Sequence, residues 1–148
     1  MRKRNILLGL LVVMLLIQFI RIDKVNPASP AGQDFVTVEK PPAAVASILK
    51  NACYDCHSHQ TTYPWYTNLA PVSWMIRSHI KGGRQHVNFS TWGAYDAKKR
   101  DHKLAEIAEE VGENRMPMKS YTWLHSEAKL SAADREILIN WVKSKTTE

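Results

Sequence analysis

Cys53-Tyr54-Asp55-Cys56-His57 contains the only two cysteines of the 148-residue chain and places a histidine directly after them. This is the spacing of c-type haem attachment. Two thiols three positions apart share one helical turn, within reach of the two vinyl groups of one porphyrin, and the adjoining imidazole is carried under the ring, where it can bind iron. Two other readings use the same residues. A dithiol redox site needs no histidine at this position and belongs in a βαβ setting, which the flanking sequence does not provide. A structural zinc site needs about four Cys/His ligands, whereas His59, His79, His86, His102 and His125 stand singly.

Working outward, the chain has room for one modest domain once an apolar N-terminal segment is set aside. Its formal charge of +6 comes from 20 basic and 14 acidic residues. Without Arg2, Lys3, Arg4 and Arg21, which flank that segment, 16 basic residues face 14 acidic ones, and the case for a nucleic-acid partner disappears. Ile6 to Ile20 (ILLGLLVVMLLIQFI) follows the basic start and is interrupted only by Gln18. Small residues at A-x-A spacing do not follow it closely, so residues 1–22 read as an uncleaved signal-anchor or transmembrane helix rather than a cleaved signal peptide. The positive-inside bias then puts the domain on the outer, periplasmic face of a bacterial cytoplasmic membrane.

Residues 23–34 (DKVNPASPAGQD) lack periodicity and read as a flexible tether, which leaves residues 35–148 as the domain. Four helices are predicted there. The first carries Val45, Ile48, Leu49 and Ala52 on one face after Pro41-Pro42 and runs into Cys53. The second carries Val72, Met75, Ile76, His79 and Ile80 and stops at Gly82-Gly83. The third covers about Ala97 to Val111, with Gly112 as its stop. The fourth starts at Ser131 with a capping-box pattern to Asp134 and buries Ile137, Leu138, Trp141 and Val142. No segment alternates like a strand, so the fold class is all-α with long loops. Those loops are rich in aromatic residues, among which Trp65 and Tyr121 are the first candidates to line a cofactor pocket.

The wording around these features resembles a bacterial family of small haem-binding domain proteins, often single-domain and membrane-anchored. The resemblance rests on Asn51-Ala-Cys-Tyr-Asp-Cys-His-Ser58, Tyr63-Pro-Trp-Tyr66, Pro71-Val-Ser-Trp74, His79-Ile80, Asn88-Phe-Ser90, Met116-Pro117 and His125-Ser-Glu-Ala-Lys-Leu-Ser131, and covers nearly everything after the tether. It implies a c-type haem protein and no defined reaction or partner. The order of helix, motif, late methionine and final helix with an aromatic is also similar to class I cytochromes c. The chain departs from them in having Ser58 where many place glycine, and in a long aromatic insertion before the methionine.

With His57 on one side of the iron, the other axial position decides function. Met116, in a loop between helices and followed by proline, is the first candidate, with Met118 and His79 as rivals and His125 a weaker one. His59 reads as solvated or facing a propionate. By analogy with class I cytochromes, the Pro71 carbonyl is expected to hold the second nitrogen of His57. Arg77, Arg84 and Lys119 are candidates to neutralise propionates. The leading functional reading is one covalent haem c and single-electron transfer to redox partners whose identity the sequence does not reveal, in a carrier rather than a catalyst. The alternatives are a five-coordinate peroxidase-like enzyme or gas sensor, and a haem-bearing module of a membrane complex.

Overall fold

The apolar positions at helical spacing before the motif become the buried face of α3 (Ala43–Ala52) in the computed structural model, which describes residues 2–146. Val45, Ile48, Leu49 and Ala52 are the buried residues of this helix, and Pro42 caps it. Cys53 breaks the helical path, and the chain resumes at once in the single turn α4 (Tyr54–His57). The amides of Cys56 and His57 both donate to the Cys53 carbonyl, at 3.2 and 2.9 Å, so the motif is itself a closed turn.

Against α3 packs α8 (Ala132–Lys143), which in turn packs on α6 (Ala97–Gly112). Each starts on a side-chain cap. The Asp96 carboxylate accepts from the Lys99 amide at 2.8 Å. Ser131 and Asp134 form the expected capping box, with the Asp134 amide donating to Ser131 Oγ at 3.1 Å and the Ser131 amide to Asp134 Oδ2 at 2.9 Å. Leu138 and Val142 are fully buried, whereas Ile137, expected to join them, is 45 % exposed. The seam of α8 is a narrow i, i+4 row, and Ile139 and Trp141 flank it at the core edge instead.

The short helix α2 (Phe35–Glu39), capped by Asp34, delivers Phe35 to the centre of the core. Its ring lies edge-on to Phe89 and Trp92, with centroids 5.2 and 4.7 Å away, and Tyr54 stacks on Phe89 at 5.1 Å. The loop aromatics Phe89 and Trp92 are thus core residues, carried by a 3₁₀ segment, Phe89–Ala94. The buried indole N–H of Trp92 donates to Glu39 Oε1 at 2.7 Å, which meets the demand of a buried donor.

Helix α5 (Val72–His86) lies along α4. It passes through Gly82-Gly83, where the sequence predicted its end, and stops at Val87. A Cβ at Gly83 would meet the Cys56 carbonyl oxygen at 2.7 Å, so glycine here permits close approach of two backbones. The last short helix, α7 (Lys119–Thr122), connects the α6 and α8 regions. All the regular structure among the described residues is helical, as expected from the absence of alternating patterns.

The N-terminal segment corrects the expectation of a membrane anchor: among the described residues no helix is long and apolar enough to cross a membrane. Helix α1 (Arg2–Leu16) has 15 residues and begins on three charged side chains. At 1.5 Å per residue it spans roughly 22 Å, short of the ~30 Å hydrocarbon core. The helix stops because the chain turns into a 3₁₀ segment, Ile17–Phe19, where the Gln18 side chain is committed elsewhere. Its Nε2 donates to the Ala70 carbonyl at 3.0 Å and its Oε1 accepts from the Ala70 amide at 3.0 Å. The Trp74 indole adds a bond to the Ile20 carbonyl at 2.9 Å.

Residues 23–34, expected to hang free, lie along the domain. Asn26 donates to the Thr61 carbonyl at 2.9 Å and accepts from Arg84 at 3.0 Å. The Gln33 carbonyl accepts from the Gly93 amide at 2.9 Å, and Asp34 accepts from the Tyr54 hydroxyl at 3.0 Å.

Candidate functional site

The motif turn ends on His57, whose Nδ1 faces the carbonyls of Gly83 at 3.0 Å and Val87 at 3.3 Å. Carbonyls only accept, so Nδ1 carries the proton and Nε2 keeps its lone pair. This is the arrangement of an imidazole oriented to ligate a metal. The sequence placed this role on the Pro71 carbonyl, which instead accepts the amides of Trp74 and Met75 within α5. Burial pushes the His57 pKa below its ordinary value, and the two carbonyl bonds oppose that shift only in part.

The neutral, buried state of His57 has a measurable consequence. Because its folded pKa lies below the ordinary 6.5, the unfolded chain binds more protons as pH falls through that window. The contribution of His57 is fully present above pH 6.5 and is lost as pH falls towards the folded value. Urea denaturation of the haem-free chain is expected to show declining stability below about pH 6.5, with a weaker decline in His57→Gln.

Cys53 and Cys56 are free, half-buried thiols. Burial foremost, then the neighbouring Cys56, pushes Cys53 up to about 12. Burial and then the Asp55 carboxylate push Cys56 up to about 11. Redox-active Cys-x-x-Cys pairs have lowered thiol pKa values, so these thiols lack the activation that dithiol exchange needs. Among the described residues no three His, Cys, Asp or Glu side chains gather as a metal site.

Cys56 opens into a cleft walled by Asp55, the Thr61–Tyr66 stretch, the outer face of α5 and the segment from Met118 to Leu124. The α5 stripe Val72, Met75, Ile76, His79 and Ile80, read from periodicity, lines this cleft. Met75 is 52 % and Leu124 66 % exposed, so the rim is an uncovered apolar surface. The water-accessible interior is about 100 Å³, below the roughly 300 Å³ at which ligand pockets begin. A porphyrin would therefore lie largely across the rim, with one edge at Cys56. Of the three motif residues only Cys56 is among the cleft walls, with Cys53 and His57 beside it in the chain; the free thiols, the lone pair on His57 Nε2 and the apolar rim are the donors such a disc would need.

The other candidates divide clearly. Tyr121 lines the cleft and donates its hydroxyl to Asp55 Oδ2 at 2.7 Å. Burial and then this bond raise the Tyr121 pKa. Trp65 lies at the surface, 74 % exposed, and is not among the cleft walls. Met118 and His79 line the cleft. Met116 is half-buried at the α6/α8 side, where its amide donates to the Glu110 carbonyl at 3.0 Å and its carbonyl accepts from Arg135 at 3.1 Å. His125 has both nitrogens engaged, by Tyr66 Oη at 2.6 Å and Glu127 Oε1 at 3.0 Å. So has His59, by Asn88 at 2.8 Å and the Ala28 carbonyl at 3.2 Å.

Arg84, a candidate for propionates, is spent on the Ser58 carbonyl at 2.7 Å, Asn26 and Thr61. Arg77 and Lys119 are exposed. Sequence reasoning overlooked Asp55, whose two carboxylate oxygens accept from the Thr62 amide at 2.8 Å and from Tyr121. Its position between the cysteines was the available signal, since a residue there has to face the site or solvent.

A family model described as a haem-binding domain matches residues 12–144, which takes in every element from the end of α1 to the end of α8. No curated protein and no solved structure matches the chain.

Proposed function

The chain belongs to the haem-binding domain family, and from that premise we propose that Cys53 and Cys56 hold haem covalently and that the domain passes single electrons. The observation that carries this reading is His57, with Nδ1 held by two carbonyls and Nε2 left for iron, one residue after a free Cys56 in an apolar cleft. Bound haem supplies an iron that cycles between ferric and ferrous states.

The chain's own residues do the rest. Each thiol adds across a vinyl double bond, sulfur to one carbon and its hydrogen to the other, so no leaving group or oxidant is needed. Burial raises both thiol pKa values, which disfavours the thiolate that exchange needs. Val72, Met75, Ile76 and Leu124 would give one face of the bound group an apolar contact, and covering that face would lower the local dielectric. Thioether attachment takes place on the outer side of bacterial cytoplasmic membranes, and the basic start followed by an apolar run suits export to that side.

The second axial ligand is assigned to the methionine turn Met116-Pro117-Met118. Met118 lines the cleft, and Met116 lies two residues away on the same turn. Ferric and ferrous spectra of the haem-matured chain test the assignment. Low-spin iron with a weak iron–sulfur charge-transfer band at the red edge is expected in the parent chain, lost in Met116→Ala/Met118→Ala, with the single variants identifying which sulfur binds. A double variant that keeps the band would discard the assignment, and a parent chain that is high-spin would discard the electron-carrier reading.

A further inference from the structure

We propose that Asp55, between the two cysteines, is a positioning residue: it ties the cleft walls together and holds an uncancelled negative charge beside the iron site. The inference rests on the covalent-haem reading above. Three bonds leave this one residue. Oδ1 accepts from the Thr62 amide at 2.8 Å, Oδ2 from the Tyr121 hydroxyl at 2.7 Å, and the main-chain carbonyl from Thr61 Oγ1 at 2.6 Å. The motif turn is thereby joined to the Thr61–Tyr66 wall on one side and to α7 on the other.

The tie to α7 leads to the methionine turn. The Tyr121 amide donates to the Met118 carbonyl at 3.0 Å, and the Tyr121 ring stacks on His125 with centroids 4.3 Å apart and planes 17° apart. His125 is in turn fixed by Tyr66 and Glu127. In this reading the segment that carries the distal ligand is therefore held in register with the segment that carries the proximal one through the Asp55 carboxylate, beside the Tyr66–His125 bond.

The charge is the second part. Both carboxylate oxygens are satisfied by uncharged donors, and no ion pair with a lysine or arginine cancels the charge among the described residues. A fixed anion favours the more positive ferric state over the ferrous one, so Asp55 lowers the reduction potential.

Redox titration and absorption spectra of the full haem-matured chain test both parts. In Asp55→Asn, which keeps the shape and removes the charge, the midpoint potential is expected to shift upward while covalent haem is retained. In Tyr121→Phe, which keeps the charge and removes the tie, the low-spin fraction is expected to fall, and restoring the hydroxyl should restore it. An Asp55→Asn midpoint equal to the parent's, or a Tyr121→Phe spectrum equal to the parent's, overturns the corresponding part. If Asp55→Asn does not mature, Tyr121→Phe still decides the tie, and Asp55→Glu decides the charge, since it should keep the parent potential. Covalent haem in the parent chain is read separately by haem stain on a denaturing gel. Its absence there overturns the underlying reading, whereas its presence with unmoved variants overturns the Asp55 proposal alone.

Discussion

Replacing Cys53 and Cys56 together by alanine is expected to abolish haem-stained migration on denaturing gels, the largest effect of any substitution considered. On the covalent reading these two thiols are the only attachment points the chain offers, since it has no other cysteine. Each single alanine variant should keep one link and a reduced yield of stained protein. Without either link, retention depends on axial coordination and on an apolar rim that is largely open, with Met75 52 % and Leu124 66 % exposed. Denaturant removes both forms of retention. Full staining in the double variant would end the covalent reading while leaving haem binding by the family intact.

The second large effect separates two adjacent glycines. Gly83→Ala places a Cβ 2.7 Å from the Cys56 carbonyl oxygen and 3.2 Å from its carbonyl carbon. These are backbone atoms of a closed turn and cannot rotate aside, so α5 must move away from the motif. A cost of about 1–3 kcal/mol is expected, as for other overpacked sites. The displacement also withdraws the Gly83 carbonyl from His57, so the low-spin spectrum should weaken together with stability. Gly82→Ala is the internal control. A Cβ there meets nothing within 4 Å, and helix propensity gives a gain of up to about 1 kcal/mol. Equal denaturation midpoints for the two variants would show that the close approach at Gly83 is not limiting.

These glycines also show where sequence stops being legible. A Gly-Gly pair on a helical pattern reads as a stop, because local propensity is all a sequence displays. The contact that keeps the helix going comes from a motif 26 or 27 positions earlier in the chain. Helices α3, α6 and α8 were readable because their caps and periodic faces are local, down to the Ser131–Asp134 box. The α5 stripe was legible as an apolar face, but its neighbour was not: periodicity reports which face is apolar, not whether it meets core or cleft.

Phe89 and Trp92 had no period to betray them, since a 3₁₀ segment with a kink at Thr91 inserts them. The same limit applies to residues placed by tertiary bonds. The His57 partner was sought at Pro71 by analogy and found at Gly83 and Val87, whose carbonyls are available because α5 ends there. Trp65, chosen for its chemistry, points to solvent, whereas Tyr121, chosen on the same grounds, lines the cleft. The apolar N-terminal run was plain from composition, but its helical length was not. Gln18 looked like a single interruption and is in fact the residue that turns the chain back onto Ala70.

That reciprocal amide pair makes α1 a lever rather than a loose end. Ala70 and the Trp74 indole fasten the base of α1 to the first turn of α5, and α5 carries at its other end the carbonyls that orient His57. The two ends are mechanically in series through one continuous 15-residue helix. Whatever fixes the direction of α1 therefore also fixes the direction in which the cleft mouth faces, so the facing of the cleft is set at the opposite end of the chain from the final helix.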